Sequence, residues 1–172
     1  MKFTDIKPFT NWGQHKEAVR WSAIERVLEE WKKDYGLDID PDFQREHVWT
    51  EKQQIAYVEY CLRSGRVGRD ILFNCDWGNF DIETRENMVL VDGKQRLQAV
   101  RLFMSNKIEV FGHKHSEFDD KLNMTEHVFF FYVNNLKTKK EVLQWYLDLN
   151  TGGTIHTEEE IEKVKLLLKK EE

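Results

Sequence analysis

The chain has few of the residues that cross-link or interrupt a fold. Its 172 residues include two cysteines, Cys61 and Cys75, and two prolines, Pro8 and Pro41. Two cysteines with neither a CxxC pair nor histidines at zinc-ligand spacing give no indication of a disulfide scaffold or a structural zinc. No segment is rich enough in proline to be predicted as a hinge. We therefore expect one domain with reduced thiols.

Long apolar runs are also missing. The longest, Val128–Val133, is too short to cross a bilayer, and the N-terminus lacks the apolar core of a signal peptide. We expect a soluble cytoplasmic protein with no membrane partner. The formal net charge of -5 argues against a basic surface that covers the whole protein, although a local basic patch for nucleic acid stays open.

The sequence does contain the patterns of a packed mixed fold. Hydrophobic residues make up 40% of the chain, which is enough for a core. Helices are predicted after Gly93 and after four starts with the capping-box pattern, in which side chain and backbone satisfy each other's hydrogen bonds. Those starts are Ser22 with Glu25, Thr50 with Gln53, Thr138 with Glu141, and Thr157 with Glu160.

Short apolar runs between these helices predict strands. The strand candidates are Leu37–Asp40, Asp70–Cys75, Met88–Asp92, Lys107–Phe111 and His127–Asn134. The fold class is therefore α+β, a small mixed sheet packed with several helices. Residues 1–20 are assigned to an N-terminal extension. Residues 157–172 are predicted as an amphipathic helix that packs on this domain or on a second copy, as in a homodimer.

The stretch VLVDGKQRLQAV joins a predicted buried strand directly to a helix. Such a junction directs backbone N–H groups and the positive end of the helix dipole at one point, and Gly93 lets a ligand approach closely. Arg96 in the first turn has the planar fork that suits phosphate oxygens. Asp92 has three candidate roles, which are to hold a metal, to cap the helix or to position a water.

Two other polar loops carry groups of the same kind. Gln44 and Arg45 lie between a predicted strand and a capped helix, and residues 150–153 read Asn-Thr-Gly-Gly between two helices. A plainer interpretation stays open for each stretch. Asp92 is then an ordinary helix cap, Arg96 pairs with an exposed carboxylate, and the two glycines form a simple helix–helix turn.

Taken together, three motifs in this order resemble a known family. They are PDFQR with a following VW, VDGKQRLQAV, and LNTGG with a following EEI. The combination is similar to the N-terminal domain of GmrSD-type modification-dependent restriction systems and its stand-alone phage relatives, within the ParB/sulfiredoxin-like superfamily. The resemblance covers roughly residues 37–164. Lys94 stands where those restriction enzymes usually have glutamine.

The resemblance implies a ParB-like fold that binds a nucleoside triphosphate with Mg²⁺ or another divalent cation, with hydrolysis or a nuclease role in some relatives. Because phosphoryl transfer depends on positioning and charge stabilisation, we assign roles on that basis. Asp92, Gln95 and Arg96 are the catalytic candidates, and Asp92 is also the metal candidate. The nucleotide- and phosphate-binding candidates are Gln44, Arg45, Gly93, Lys94, Asn150, Thr151, Gly152 and Gly153.

Three functions stay open for the chain. The first is a nucleoside triphosphatase in a phage or DNA-defence setting, coupled to DNA processing. The second is a non-enzymatic phage protein that keeps the fold and binds a host or defence protein. The third and weakest is a DNA nuclease, because the chain has no room for the His-Asn-His cleavage domain of the restriction enzymes, or for the DNA-reading helix-turn-helix of ParB. A sulfiredoxin activity is not expected, because Lys94-Gln95 occupies the place of its catalytic cysteine.

Overall fold

The structure is a computed structural model that describes residues 2, 5–6, 9–11, 13, 15–44, 49–76, 88–122, 125–150 and 158–170. Within these residues the chain forms a mixed α+β fold, as predicted. The elements in chain order are β1 (His15–Arg20), α1 (Ile24–Tyr35), α2 (Glu51–Leu62), β2 (Asp70–Asn74), β3 (Val89–Asp92), α3 (Lys94–Met104), β4 (Val128–Asn134), α4 (Lys139–Asn150) and α5 (Glu158–Lys170).

The four strands form one sheet in the order β1-β4-β2-β3. Strand β4 pairs antiparallel with β1 and parallel with β2, and β2 pairs antiparallel with β3. In the β2–β3 pair Leu72 lies opposite Asp92, and the register then shifts between Leu72 and Phe73. The start of β2 and the end of β3 therefore lie at the same end of the sheet.

Helices cover both faces of the sheet. One face carries Phe73, Phe129 and Phe131, and it packs against α1, α2 and α3 in the larger core. The opposite face carries Leu72 and Val91, and it packs against α4 and α5 in a smaller core. Successive strand residues point to opposite faces, so these short strands supply apolar side chains to both cores.

Two of the predicted capping boxes are confirmed. Thr50 Oγ1 accepts from the Gln53 N–H at 3.3 Å, and Gln53 Oε1 accepts from the Thr50 N–H at 2.9 Å. Thr138 and Glu141 make the same reciprocal pair. The box at Ser22 is wrong, because Trp21–Ala23 form a 3-10 turn and α1 begins after Ala23 with no side-chain cap. Thr157 lies outside the described residues.

Three strand predictions are confirmed and two are wrong. Strands β2, β3 and β4 match their predicted segments within one residue. Leu37–Asp40 and Lys107–Phe111 contribute only the isolated bridges Asp38–Val89 and Val110–His113. The chain turns on both sides of the second segment, where Asn106 just before it has φ of 60° and Phe111 at its end has φ of 54°. Conversely, β1 lies in the segment that we assigned to an extension.

None of the helices that the structure describes is long and apolar enough to cross a membrane. The described helices pack against the sheet or against one another instead.

Phe131 tests the larger core. Its side chain is fully buried and contacts the rings of Trp31 and Phe73 at centroid distances of 5.5 and 5.0 Å. We expect Phe131→Ala to lower the free energy of unfolding by about 3–5 kcal/mol, because it removes buried area and leaves a cavity. Urea denaturation measures this change. The control Phe9→Ala removes a ring that is 71% exposed, and a comparable loss there would contradict the packing described.

Candidate functional site

The junction between β3 and α3 depends on Gly93. This residue is the N-cap of α3 and has φ of 98°, a conformation that L side chains rarely adopt. A Cβ at this position would lie 2.5 Å from Ile71 Cδ1 and 3.3 Å from Arg96 Nη2. Glycine thus allows the chain to turn directly from strand to helix, with β2 and the Arg96 side chain close to the turn.

Arg96 connects the ends of two strands. Its Nη2 donates to the carbonyl oxygen of Asp70 at 3.1 Å and to the Asp92 carboxylate at 2.5 Å. A Cβ on Gly68 would lie 3.3 Å from Arg96 Cδ, so the arginine stem passes close to that backbone. The buried Nε of Arg96 has no hydrogen-bond partner within the described part of the chain. Asp92 therefore serves as the partner of Arg96 and not as the helix cap.

Asp70 is a site residue that the sequence analysis missed. Burial raises the pKa of the Asp70 carboxyl, and the nearby Asp92 charge raises it further, while Lys16 and Arg96 act in the opposite direction. Two carboxylates from adjacent strands therefore lie within electrostatic range of each other. Asp70 appears in the sequence only as the first residue of an apolar strand, and the antiparallel pairing brings it to Asp92.

Lys16 reaches the same place from β1. Its ammonium lies 4.5 Å from the ring centroid of Phe130 and 4.9 Å from that of Tyr132, on the strand between β1 and β2. Asp70 pairs in register with Phe130, so the lysine crosses β4 towards Asp70. We call Lys16, Asp70, Asp92, Gly93 and Arg96 the Arg96 cluster.

The predicted glutamines support the backbone around the Arg96 cluster. Gln44 Nε2 donates to the carbonyl oxygen of Leu90 at 2.5 Å, and Gln95 Oε1 accepts from the Trp49 N–H at 3.2 Å. Both side chains are buried, with 8% and 7% of their surface exposed. They fix strand β3 and the chain before α2, and they lie too deep to face solvent directly.

Lys94 lies on another side of α3. Its ammonium pairs with the Asp40 carboxylate. Residues two apart in a helix project about 200° from each other, so Lys94 and Arg96 point in nearly opposite directions. The structure thus does not bring Lys94 into the Arg96 cluster. Arg45 and residues 151–153 lie outside the described residues, as does the side chain of Asn150, and their assigned roles stay predictions.

The described residues near Arg96 provide few oxygen ligands for a divalent cation. Among the described residues, no three or more His, Cys, Asp and Glu side chains are arranged so that they could hold a metal ion. The Arg96 cluster offers two carboxylates, Asp70 and Asp92. Mg²⁺ in nucleotide sites is commonly held by one or two carboxylates together with substrate phosphates. The residues present therefore fit a cation that arrives with a phosphorylated ligand.

A comparison with protein-family models identifies one match. Residues 24–151 match the GmrSD restriction endonuclease, N-terminal domain. The matched range includes the Arg96 cluster apart from Lys16, and it confirms the GmrSD part of the resemblance. No curated protein and no solved structure matches the chain.

The raised pKa of Asp70 gives a pH-dependent prediction. An unfolded aspartate titrates near about 3.9, so the unfolded chain loses this proton at lower pH than the folded protein does. This group therefore lowers stability progressively as pH rises from about 3.9 through the folded pKa. We expect Asp70→Asn to gain stability relative to the wild type over this window, as measured by urea denaturation from pH 3.5 to 7. A difference that stays constant with pH would contradict the assignment.

Gly93→Ala tests the junction. The strained φ and the contact with Ile71 should together lower the free energy of unfolding by about 1–3 kcal/mol. Thermal and urea unfolding measure the loss. Gly112→Ala is the control, because Gly112 also has positive φ, at 77°, but no atom lies within 4 Å of its Cβ position. Equal losses in the two variants would show that the backbone strain alone matters.

Proposed function

Because the chain belongs to the family of GmrSD restriction endonuclease N-terminal domains, we propose that it binds a nucleoside triphosphate with a divalent cation at the Arg96 cluster and hydrolyses it. The family places the chain in the context of restriction systems. The proposed reaction would supply a nucleotide-dependent step to such a system.

The observation that best supports this proposal is that Arg96 pairs with a carboxylate that is accessible to solvent. Its guanidinium lies at the first turn of α3, where the backbone N–H groups of residues 94–96 have no acceptor within the helix. The side chain is 24% exposed, and its partner Asp92 is 45% exposed. Asp92 can therefore leave the arginine and be hydrated by solvent, and the arginine can take an external anion in its place.

A phosphate oxygen would compete with Asp92 for the same Nη2 group. The ion pair with Asp92 is an i, i+4 pair at a helix start and is partly exposed, so its net contribution to stability is small, about 0–1 kcal/mol. A triphosphate that forms charge-assisted hydrogen bonds with the guanidinium fork can displace it. The released Asp92 carboxylate would then be available to hold the cation, and Asp70 would stay available to act on the attacking water.

The bound cation would neutralise part of the phosphate charge. The residues of the chain have separate roles in the proposed hydrolysis. Arg96 and the first-turn N–H groups would hold phosphate oxygens, and Lys16 would add a positive charge on the side of β4. Asp70 would accept a proton from the attacking water. The water oxygen would bond to the terminal phosphorus while the bond between that phosphorus and the bridging oxygen breaks. The products would be a nucleoside diphosphate and inorganic phosphate.

One observation favours a second candidate, an interaction protein. Three exposed apolar side chains, Tyr60, Val67 and Phe111, lie around Arg63. The Val67 N–H donates to Tyr60 Oη at 3.0 Å, and the Arg63 guanidinium lies 5.1 Å from the centre of the Phe111 ring. Exposed aromatic and arginine side chains are enriched at protein interfaces. This surface would serve a host or defence protein, independently of any nucleotide.

Nucleotide titration tests the proposed function. At a hundred times its dissociation constant, a ligand adds about 2.7 kcal/mol to the free energy of unfolding, which gives a measurable thermal shift. We expect such a shift with at least one nucleoside triphosphate in the presence of Mg²⁺, followed by phosphate release. We expect Arg96→Ala to abolish the thermal shift and the phosphate release. The control is Arg26→Ala, which removes an exposed arginine that pairs with Glu30 on α1.

Asp92→Asn distinguishes phosphate binding by Arg96 from cation binding by the carboxylate. It removes the carboxylate that competes for Arg96 and that would hold the cation. We expect this variant to bind triphosphate without Mg²⁺ at least as well as the wild type, and to gain less from added Mg²⁺. Calorimetric titration with and without Mg²⁺ measures both effects. Unchanged Mg²⁺ dependence would remove Asp92 from the cation site, and no binding by any variant would favour the interaction protein.

A further inference from the structure

A second candidate site lies on the other side of helix α3. A cavity of about 350 Å³ is lined there by Lys94, Leu97, Gln98 and Arg101 of α3, together with residues of the segment before α2 and of β3. These helix positions follow a spacing of three and four, so they form one face. Arg96 projects about 150° from the middle of that face, which separates the cavity from the Arg96 cluster.

The cavity has an apolar wall. Ile39, Leu90 and Leu97 line it, and Ile39 supplies most of the exposed apolar surface because Leu90 and Leu97 are only 0% and 2% exposed. Ile39 is half-buried and packs against the larger core. Ligand pockets in proteins commonly have volumes from about 300 Å³ upwards and combine an apolar lining with a few polar groups. The cavity has the volume and the mixed lining for a small ring system.

The charges around the cavity balance. Lys94 pairs with Asp40, which also lines the cavity, and Arg101 makes two hydrogen bonds with the Glu25 carboxylate at 2.6 and 2.9 Å. Each cation is therefore matched by a carboxylate. An isolated anion would gain little from these paired cations, whereas a neutral ligand with both donors and acceptors matches the local charge. This balance distinguishes the cavity from the Arg96 cluster, where a phosphate is proposed.

Gln98 provides an unused polar group in the cavity wall. Its half-buried amide makes no hydrogen bond to any residue in the described part of the chain. The glutamines of the neighbouring site differ in this respect, since Gln44 and Gln95 are both bonded to backbone groups. An amide offers one acceptor and two donors in a plane, so it can bind the edge of a ring that carries the complementary pair.

We propose that this cavity binds a nucleobase, either in a free nucleoside or at an unpaired position of a nucleic-acid strand. Glutamine forms paired hydrogen bonds with base edges, carboxylates accept from exocyclic amino groups, and lysine and arginine donate to base oxygen and nitrogen atoms. Gln98, Asp40 and Lys94 offer these three functions beside an apolar wall. A nucleobase is neutral and rich in both donors and acceptors, so it matches the cavity in charge and in hydrogen bonding.

The proposal is independent of the proposed function. It depends neither on Arg96 nor on a triphosphate, and it holds whether or not the chain hydrolyses a nucleotide. If both sites act, the chain would contact a base on one side of α3 and phosphates on the other. A triphosphatase that fails to bind nucleosides would contradict this proposal alone.

The test titrates the ¹⁵N-labelled full chain with adenosine, guanosine, cytidine and thymidine, and separately with short single-stranded oligonucleotides and a matched duplex. We expect shifts of amide signals from the face of α3 around Leu97, Gln98 and Arg101. Gln98→Leu keeps the side-chain size and removes the amide, and it should weaken binding about tenfold or more. The spectra also show whether each variant is folded.

Two controls locate the binding. Gln144→Leu removes an exposed glutamine on α4 that donates to Asp148, and it should leave the affinity unchanged. Arg26→Ala, which removes an exposed arginine that pairs with Glu30 on α1, should also leave nucleoside affinity unchanged. Binding by free nucleosides would identify a small-molecule site, and binding by oligonucleotides alone would identify a base carried by a strand. Both outcomes support the proposal if they depend on Gln98.

Three outcomes would overturn the proposal. The first is that neither nucleosides nor oligonucleotides shift the signals of α3. The second is that Gln98→Leu binds as tightly as the wild type. The third is that nucleosides shift the amide signals of Asp92, Gly93 and Arg96 and not those around Leu97, Gln98 and Arg101, which would place the base at the Arg96 cluster instead.

Discussion

Two hydrogen bonds of Arg96 connect strands β2 and β3 to helix α3, and the geometry of the candidate site depends on them. Arg96 joins the first carbonyl group of β2 to the last side chain of β3, and it does so from the first turn of the helix that follows β3. Its stem passes close to the backbone of Gly68, and its guanidinium lies close to that of Gly93. The same residue therefore aligns two strands, fixes the strand-to-helix junction and presents a cation where a negatively charged ligand can compete for it.

The sequence predicted those features that depend on neighbouring residues. Thr50 and Gln53 are three residues apart, so their reciprocal cap could be recognised, and the apolar runs of β2, β3 and β4 were long enough to identify as strands. Gly93 marked the junction for the same reason. In each case the atoms that interact belong to one short segment, and local conformational preferences determine the result.

Features that depend on tertiary pairing were not predictable in this way. Strand β1 has the sequence HKEAVR with Val19 as its only buried residue, so no alternation of apolar side chains marks it. Its conformation comes from backbone pairing with β4. Asp70 and Lys16 are separated by 54 positions in the numbering and approach each other only across β4. The direction of Lys94, opposite to Arg96, follows from helix rotation and from the position of Asp40.

The two outer strands differ in how they are protected from neighbouring molecules. The free side of β3 is partly occupied, since the Asp38 N–H donates to the Met88 carbonyl and the Leu90 N–H donates to the Asp38 carbonyl. Strand β1 lies at the other edge of the sheet that the structure describes, and its exposed residues include the charged Glu17 and Arg20. Charges on an edge strand oppose the addition of a further strand from another chain. The same polar residues that obscured β1 in the sequence therefore disfavour strand addition at this edge.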